Sequence, residues 1–146
     1  MSEEVITRQL VVFSLGEEEY ALPIADVHEI IRYTEPRSVA SSVNWVRGVI
    51  SLRGKIVPVY DLASRLGCAP CDDVAEQKIV IVEAAGQLAG VVVDDVDEVI
   101  TVDADQLERL PVVDEAAIDS IVKLDDRLIV LLSSAGLFGL SAEIAV

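Results

Sequence analysis

The chain has 146 residues and a mass of 15.7 kDa, 52% apolar and 25% charged, enough for one soluble domain or two small subdomains on a shared core. Its 26 acids against 11 bases leave −15 at pH 7, which argues against a nucleic acid or an anionic membrane surface as partner. The imbalance is uneven: residues 1–73 carry 7 bases and 11 acids, residues 74–146 carry 4 and 15, so a partner of mixed charge can tell the halves apart. Lysine supplies only three of the bases, and acid-rich, lysine-poor surfaces also occur in salt-adapted proteins.

Met1-Ser2-Glu3-Glu4 has neither the basic start nor the apolar stretch of a secretory signal. The nearly apolar run from Leu128 to Leu140 is too short to span a bilayer, so a cytoplasmic location is expected. Short β-rich runs then follow one another, each bounded by turn residues. Arg8–Leu15 and Tyr20–Ile24 flank Gly16-Glu17-Glu18-Glu19, a hairpin signal. Further strands are expected at Gly48–Leu52, Lys55–Val59, Gln77–Glu83, Leu88–Val93, Val96–Val102, Ile118–Leu124 and Arg127–Leu132. Helix is scarce. Asp26–Ile31 predicts one or two turns and places His28 on them, partly exposed. Tyr60–Leu66 predicts two turns, with Asp61 near the start and Gly67 as stop, and Ser133–Phe138 predicts a third helix with a serine cap. Many short strands with turns between them point to a barrel or sandwich.

The sequence repeats itself weakly. Ala21–Ile31 aligns with Gly90–Ile100 at one offset, and Gly48–Leu66 aligns with Ser120–Phe138 at another. The elements come in the same order each time, which predicts two related β subdomains. Shared apolar positions mark core. The sharpest difference is at a hairpin turn, where Arg53-Gly54 faces Asp125-Asp126. A turn explains the glycine and the aspartates, but not the arginine.

Chemical motifs are few. Cys68-Ala69-Pro70-Cys71 is a C-x-x-C, open to a redox role or to half a zinc site. With only these cysteines and His28, four zinc ligands of the usual kind are not available, and the pair follows a helix instead of starting one. His28-Glu29-Ile30-Ile31-Arg32 falls short of a zinc-protease motif because its fifth residue is arginine. Asp94, Asp95, Asp97, Glu98, Asp103 and Asp105 form an acidic stretch without the spacing of a calcium loop, and fit a solvated strand face. No phosphate loop, dinucleotide fingerprint or nucleophile elbow occurs, and no carboxylate pair stands out. These absences favour a protein that is not an enzyme and uses neither cofactor nor metal. What remains is apolar surface. Val27, Ile30 and Ile31 flank Glu29, while Val96, Val99 and Ile100 flank Glu98. Either all six are core, or some line a groove between the subdomains suited to an amphipathic helix.

Three blocks carry a resemblance: Phe13-Ser14-Leu15-Gly16-Glu17-Glu18-Glu19-Tyr20-Ala21-Leu22-Pro23-Ile24, Val27-His28-Glu29-Ile30-Ile31, and Trp45-Val46-Arg47-Gly48 through Leu52-Arg53-Gly54 to Pro58 and Asp61-Leu62. They resemble the CheW family of chemotaxis coupling proteins, and the likeness continues through Gly90-Val91-Val92-Val93-Asp94-Asp95-Val96 to Leu132. The resemblance implies two five-stranded SH3-like barrels on a shared core. It implies no catalysis and an adaptor role between methyl-accepting chemotaxis receptors and the regulatory domain of a CheA-type histidine kinase. Val27, Glu29 and Val99 match positions tied to receptor binding in the family, with Ile30 beside them. Arg53 matches an arginine that pairs with the acid at Glu29. Gly48 and Gly54 match glycines that hold the hairpin shape. A partly buried Arg53–Glu29 pair would cost several kcal/mol to break from one side. Ser51 stands where the family usually has asparagine, and Val43 where it often has proline, which leaves the fold intact and puts partner choice in doubt. The 146 residues contain no receiver or kinase segment, so a CheV-type or CheA-type protein is not expected.

The expected organisation is one CheW-like domain over 1–146, with 16–75 as the first barrel and 1–15 joining 76–146 on a partly shared core. The isolated chain is expected to be monomeric. The alternatives are an adaptor of a non-flagellar chemosensory pathway and, from another class, a redox-responsive protein using Cys68 and Cys71.

Overall fold

The computed structural model describes residues 7–39, 45–66, 76–84, 86–109 and 117–137. Its strands are β1 Thr7–Leu15, β2 Glu18–Pro23, β3 Val27–Arg32, β4 Val46–Leu52, β5 Lys55–Asp61, β6 Lys78–Ala84, β7 Gln87–Val93, β8 Asp95–Asp103, β9 Leu107–Glu108, β10 Ile118–Leu124 and β11 Arg127–Leu132. Two short helices follow β5 and β11: α1, Leu62–Leu66, and α2, Ser134–Leu137. The fold is mainly β, in two sheets with orders β8-β1-β2-β11-β10-β9 and β3-β6-β7-β5-β4.

Neither sheet comes from one contiguous half of the chain. Hairpin β1–β2 joins β8, β10 and β11, while hairpin β6–β7 joins β3, β4 and β5. The halves exchange their first hairpins, so a boundary at 16–75 is crossed in both directions. Each exchange is sealed by a parallel contact, Leu131 beside Ala21 and Val59 beside Gly90. These contacts are repeat mates at the two offsets read from the sequence. So are the bulges: the register shifts at Val27/Glu29 and at Val12/Phe13 leave His28 and Asp97 as the extra residues of β3 and β8. The duplication is thus built into the hydrogen bonding. β9, two residues long, adds a sixth strand to the sheet that holds β1 and β8, where five were expected. Its counterpart in the other sheet is a single bridge between Arg37 and Val49.

Burial follows strand alternation. Ile50, Val57, Val59, Ile79, Ile81 and Val92 fill the barrel of β3–β7, called here the first barrel. Leu10, Val12, Ala21, Val102, Val122, Ile129 and Leu131 fill the second. The third and largest cluster joins Phe13, Leu15, Tyr20 and Leu22 from one sheet to Tyr60, Val80, Val82, Val91 and Val93 from the other, and is the shared core. Phe13 and Tyr20, opposite each other on β1 and β2, stack with ring centroids 6.2 Å apart inside it.

One helix expectation fails. Ile24–Asp26 makes a single 3-10 turn, and Val27–Arg32 is strand β3, so His28 lies on a strand. The bulge at His28 explains the misreading. It puts Val27 and Ile30, three residues apart, opposite Val82 and Val80 on one face, while Glu29 and Ile31 oppose Ile81 and Ile79 on the other. A bulged strand therefore imitates the spacing of a helix. The other two helices form, each starting later than expected: Tyr60 and Asp61 remain in β5, and α2 starts at Ser134, while Phe138 lies outside the described residues.

Candidate functional site

The β4–β5 hairpin carries the block read as most distinctive. Its loop is two residues, Arg53 and Gly54, between paired Leu52 and Lys55. Both are left-handed, with φ of 49° and 82°. That is the backbone of a tight hairpin turn suited to asparagine and glycine. Arginine is unfavourable there on backbone grounds. Its side chain forks onto Glu29 of β3: Nη2 donates to Oε2 at 3.0 Å and Nη1 donates to Oε1. Strands β3 and β5 stand three places apart in the sheet order, so the pair crosses the open end of the barrel.

Burial is uneven across the pair. The Arg53 side chain is 70% exposed and that of Glu29 is 21% exposed. Hydrogen bonding from Arg53 holds the Glu29 carboxyl below its usual range, and Glu29 raises the guanidinium in turn. An ion pair this open to water adds little to stability. It presents a fixed, charged edge to solvent.

The apolar candidates divide. Ile30 and Val99, repeat mates, are 41% and 53% exposed. Val27 and Val96 pack on the shared core, Ile31 on the first barrel's interior and Ile100 on the second's. Val27 is therefore half-buried support beside the exposed Ile30. Ile56 and Leu128, also repeat mates, are 69% and 66% exposed beside the two hairpin tips. The sequence reading passed over both, since strand alternation alone does not tell an outer face that is covered from one that is not. Gly54 sits in the turn as expected. Gly48 serves a different purpose from the hairpin turn, because it lies at a bulge where the Arg37 backbone passes close by.

Arg47 and Asp61 brace the shoulder of this hairpin. Arg47 donates to Asp61 Oδ2 through Nε at 3.3 Å and Nη2 at 3.1 Å, and to the Tyr33 hydroxyl at 3.2 Å. Burial pulls the Arg47 guanidinium down, but the Asp61 carboxylate outweighs it and the net direction is up. Asp61 Oδ1 accepts the Ser64 N–H at 3.3 Å, capping α1 as its position suggested. Arg65 of α1 lies over the Trp45 ring, 5.2 Å from its centroid. The motif residues around Trp45 and Asp61 thus form one structural bracket.

The acidic stretch is dispersed. Asp94 accepts from Gly16 N–H at 2.5 Å and from Gln77 Nε2 at 3.2 Å, tying two turns together. Glu98 pairs with Arg127. Gln106 accepts the Asp103 N–H at 2.9 Å. Among the described residues no group of three or more His, Cys, Asp or Glu is placed to hold a metal ion. Cys68 and Cys71 lie outside the described residues. No helix among the described residues is long and apolar enough to cross a membrane. Asp97 at the β8 bulge has its pKa raised, by partial burial first and then by Asp95, Glu19 and Glu98. A carboxyl raised on folding opposes the folded state above its pKa and not below its unfolded value. Asp97→Asn is therefore expected to raise stability slightly at pH 7, by less than about 1 kcal/mol because water screens the repulsion at this exposed position. The gain should vanish below about pH 3.5, where unfolded aspartates are protonated too; paired chemical melts at the two pH values check this.

Known proteins agree with this architecture. The family model described as CheW-like domain matches residues 9–141. A Rhizobium etli protein named "Probable chemotaxis protein CheW" is 31% identical over 135 residues, 90% of this chain and 87% of that protein. The crystal structure of the scaffolding protein TtCheW from Thermoanaerobacter tengcongensis superposes with a TM-score of 0.84 at 40% identity, covering 91% of this chain and 93% of that one. Protein PilI of Pseudomonas aeruginosa is 31% identical over 87 residues, 58% of this chain and 47% of that protein.

Proposed function

The chain belongs to the CheW-like domain family, a family of chemotaxis scaffold proteins, and on that premise we propose that it is a non-catalytic adaptor coupling methyl-accepting chemotaxis receptors to a CheA-type histidine kinase. In this reading residues 1–146 act as one CheW-like domain, monomeric when isolated, that works in the cytoplasm and is recruited to receptor arrays. Glu29, Ile30, Arg53 and Val99 make contact with partners. Val27 backs Ile30 from the core, Gly54 holds the hairpin turn, and Gly48 lets the Arg37 backbone lie against β4.

The observation that carries the proposal is the exposed Arg53–Glu29 fork. The turn takes an arginine where asparagine would fit better, and the resulting ion pair is too exposed to contribute much to the fold. A locally unfavourable residue with no structural return marks a functional position. Beside it lie Ile30 and Ile56, so the first barrel's mouth offers a charged edge flanked by apolar side chains, a fit for the apolar face and polar rim of a helical partner. Such contacts are modest singly and gain strength when several engage at once.

The similarity to Protein PilI supports a second reading, in which the same adaptor serves a chemosensory pathway other than the flagellar one. A pull-down from the source cells, with the chain as bait and prey identified by mass spectrometry, tests both. Recovery of a CheA-type kinase together with chemotaxis receptors is expected, and their identity separates the pathways. Recovery of neither, at low and at high salt, would sink the adaptor reading.

A further inference from the structure

The second barrel repeats the first barrel's ion pair with different wiring. Arg127, the first residue of β11, reaches Glu98 of β8, three places away in the sheet order. It therefore crosses the mouth of its barrel, as Arg53 crosses the first. Glu98 is the repeat mate of Glu29. The cation, however, has moved off the turn. Arg127 aligns with Lys55, and the turn position aligned with Arg53 is Asp125, an exposed acid with the same φ of 49°.

The partners differ as well. Arg127 Nε donates to Glu19 Oε1 at 3.1 Å, and Nη2 donates to Glu19 Oε2 at 2.7 Å and to Glu98 Oε2 at 3.0 Å. One guanidinium thus ties β11 to both β2 and β8. Its side chain is 38% exposed, against 70% for Arg53. Arg53 faces outward with one acid, whereas Arg127 is turned inward onto two.

Strand β8 needs such a tie. Among the described residues it is the edge of its sheet, with β1 as its one neighbour. Its ladder to β1 is interrupted at the Asp97 bulge. Asp95, Asp97 and Glu98 crowd this segment, with Glu19 facing them from β2. Apart from Lys78, whose Nζ is 3.9 Å from Asp95, Arg127 is the described cation that ion-pairs with this group. Next to Glu98 stands Val99, opposite Val11 and 53% exposed.

We propose that Arg127 is the positioning residue of the second barrel: by gripping Glu98 and Glu19 it holds β8 so that Val99 meets a partner protein. The proposal rests on the adaptor reading. Arg127 acts through β8 and makes no partner contact of its own.

The test uses the full chain with the kinase regulatory domain and a receptor cytoplasmic fragment, each titrated separately. Val99→Ala is expected to weaken one of the two partners about tenfold. Arg127→Gln should weaken that same partner about tenfold and leave the other within about twofold. The double variant should bind no more than about threefold worse than either single one, because both changes remove one contact surface. Arg127→Lys, which keeps the charge, should recover part of the loss. Glu98→Gln gives an independent route, since it frees β8 while Arg127 keeps Glu19; the same selective loss is expected. A purely structural role would lower both affinities together or neither. The proposal is overturned by unchanged binding of Arg127→Gln or Val99→Ala, by equal loss of both partners, or by losses that multiply in the double variant. If the unaltered chain binds neither partner, the adaptor reading itself falls, an outcome distinct from all of these.

Discussion

Gly48→Ala is expected to lower the stability of the fold by about 3 kcal/mol or more. Gly48 has φ of 147°, outside the range that side chains adopt with ease. More decisively, an added Cβ would lie 2.1 Å from the Arg37 carbonyl oxygen, 2.6 Å from its carbon and 3.1 Å from Ser38 N. These are backbone atoms and cannot rotate away. Arg37 is held there by two hydrogen bonds with Val49, at 2.8 Å and 2.9 Å. To make room, the segment carrying Arg37 must leave β4 and give up both. That segment leads back to Tyr33, which packs on the first barrel's interior and accepts from Arg47. The loss thus spreads to the bracket behind the Arg53 hairpin. Gly54→Ala is the internal comparison. Nothing lies within 4 Å of its added Cβ, so only the left-handed φ opposes it, a penalty of about 1 kcal/mol. Urea melts of the two variants settle the matter: equal stabilities would refute the assignment of Gly48 to backbone clearance.

Much of this architecture is legible in the sequence because duplication doubles the evidence. Gly48–Leu66 and Ser120–Phe138 align residue for residue, and the structure returns that alignment in the pairings Gly48–Val59 and Ser120–Leu131. Fold class, hairpin tips and the Arg53 anomaly follow from such pattern. The exchange of hairpins does not, because pattern reports which residues pair locally and not which half supplies the third strand. The β3 bulge was lost for a different reason. A single inserted residue converts a period of two into a spacing of three, and Val27, Ile30 and Ile31 then imitate a helix face. The exposures of Ile30 and Val99 could not be read either. Both alternate with core positions as buried residues do, and only the packed barrels show that about half of each side chain is left open to solvent. Arg127 was passed over because its task is three-dimensional: Glu19 lies 108 residues away from it in sequence. The one available signal was the match of Glu98 to Glu29, which calls for a cation near the second turn.

Arg53→Asn is expected to separate function from stability: the variant should melt no lower than the parent chain, yet couple receptor and kinase about tenfold less effectively. The stability half follows from the turn. Asparagine before glycine suits two successive left-handed residues, whereas arginine at φ 49° does not. The ion pair that is lost stands open to water and is screened by salt. Its pH signature gives a second readout. Arg53 holds the Glu29 pKa below its unfolded value, so the pair's contribution is present above the ordinary carboxylate range and fades as pH falls through Glu29's lowered value. Without Arg53 the acid limb of the stability profile should be shallower. The functional half follows from geometry. The fork fixes Glu29 at the barrel mouth beside Ile30, and its removal frees the carboxylate and deletes the exposed cation at once. Arg53→Lys keeps charge but not the two-pronged grip, and should fall between parent and asparagine variant in coupling. Kinase activity in reconstituted arrays, measured beside thermal melts, is the test. Parent-like coupling by Arg53→Asn would place the contact elsewhere on the barrel, while a marked fall in melting temperature would make the pair structural after all.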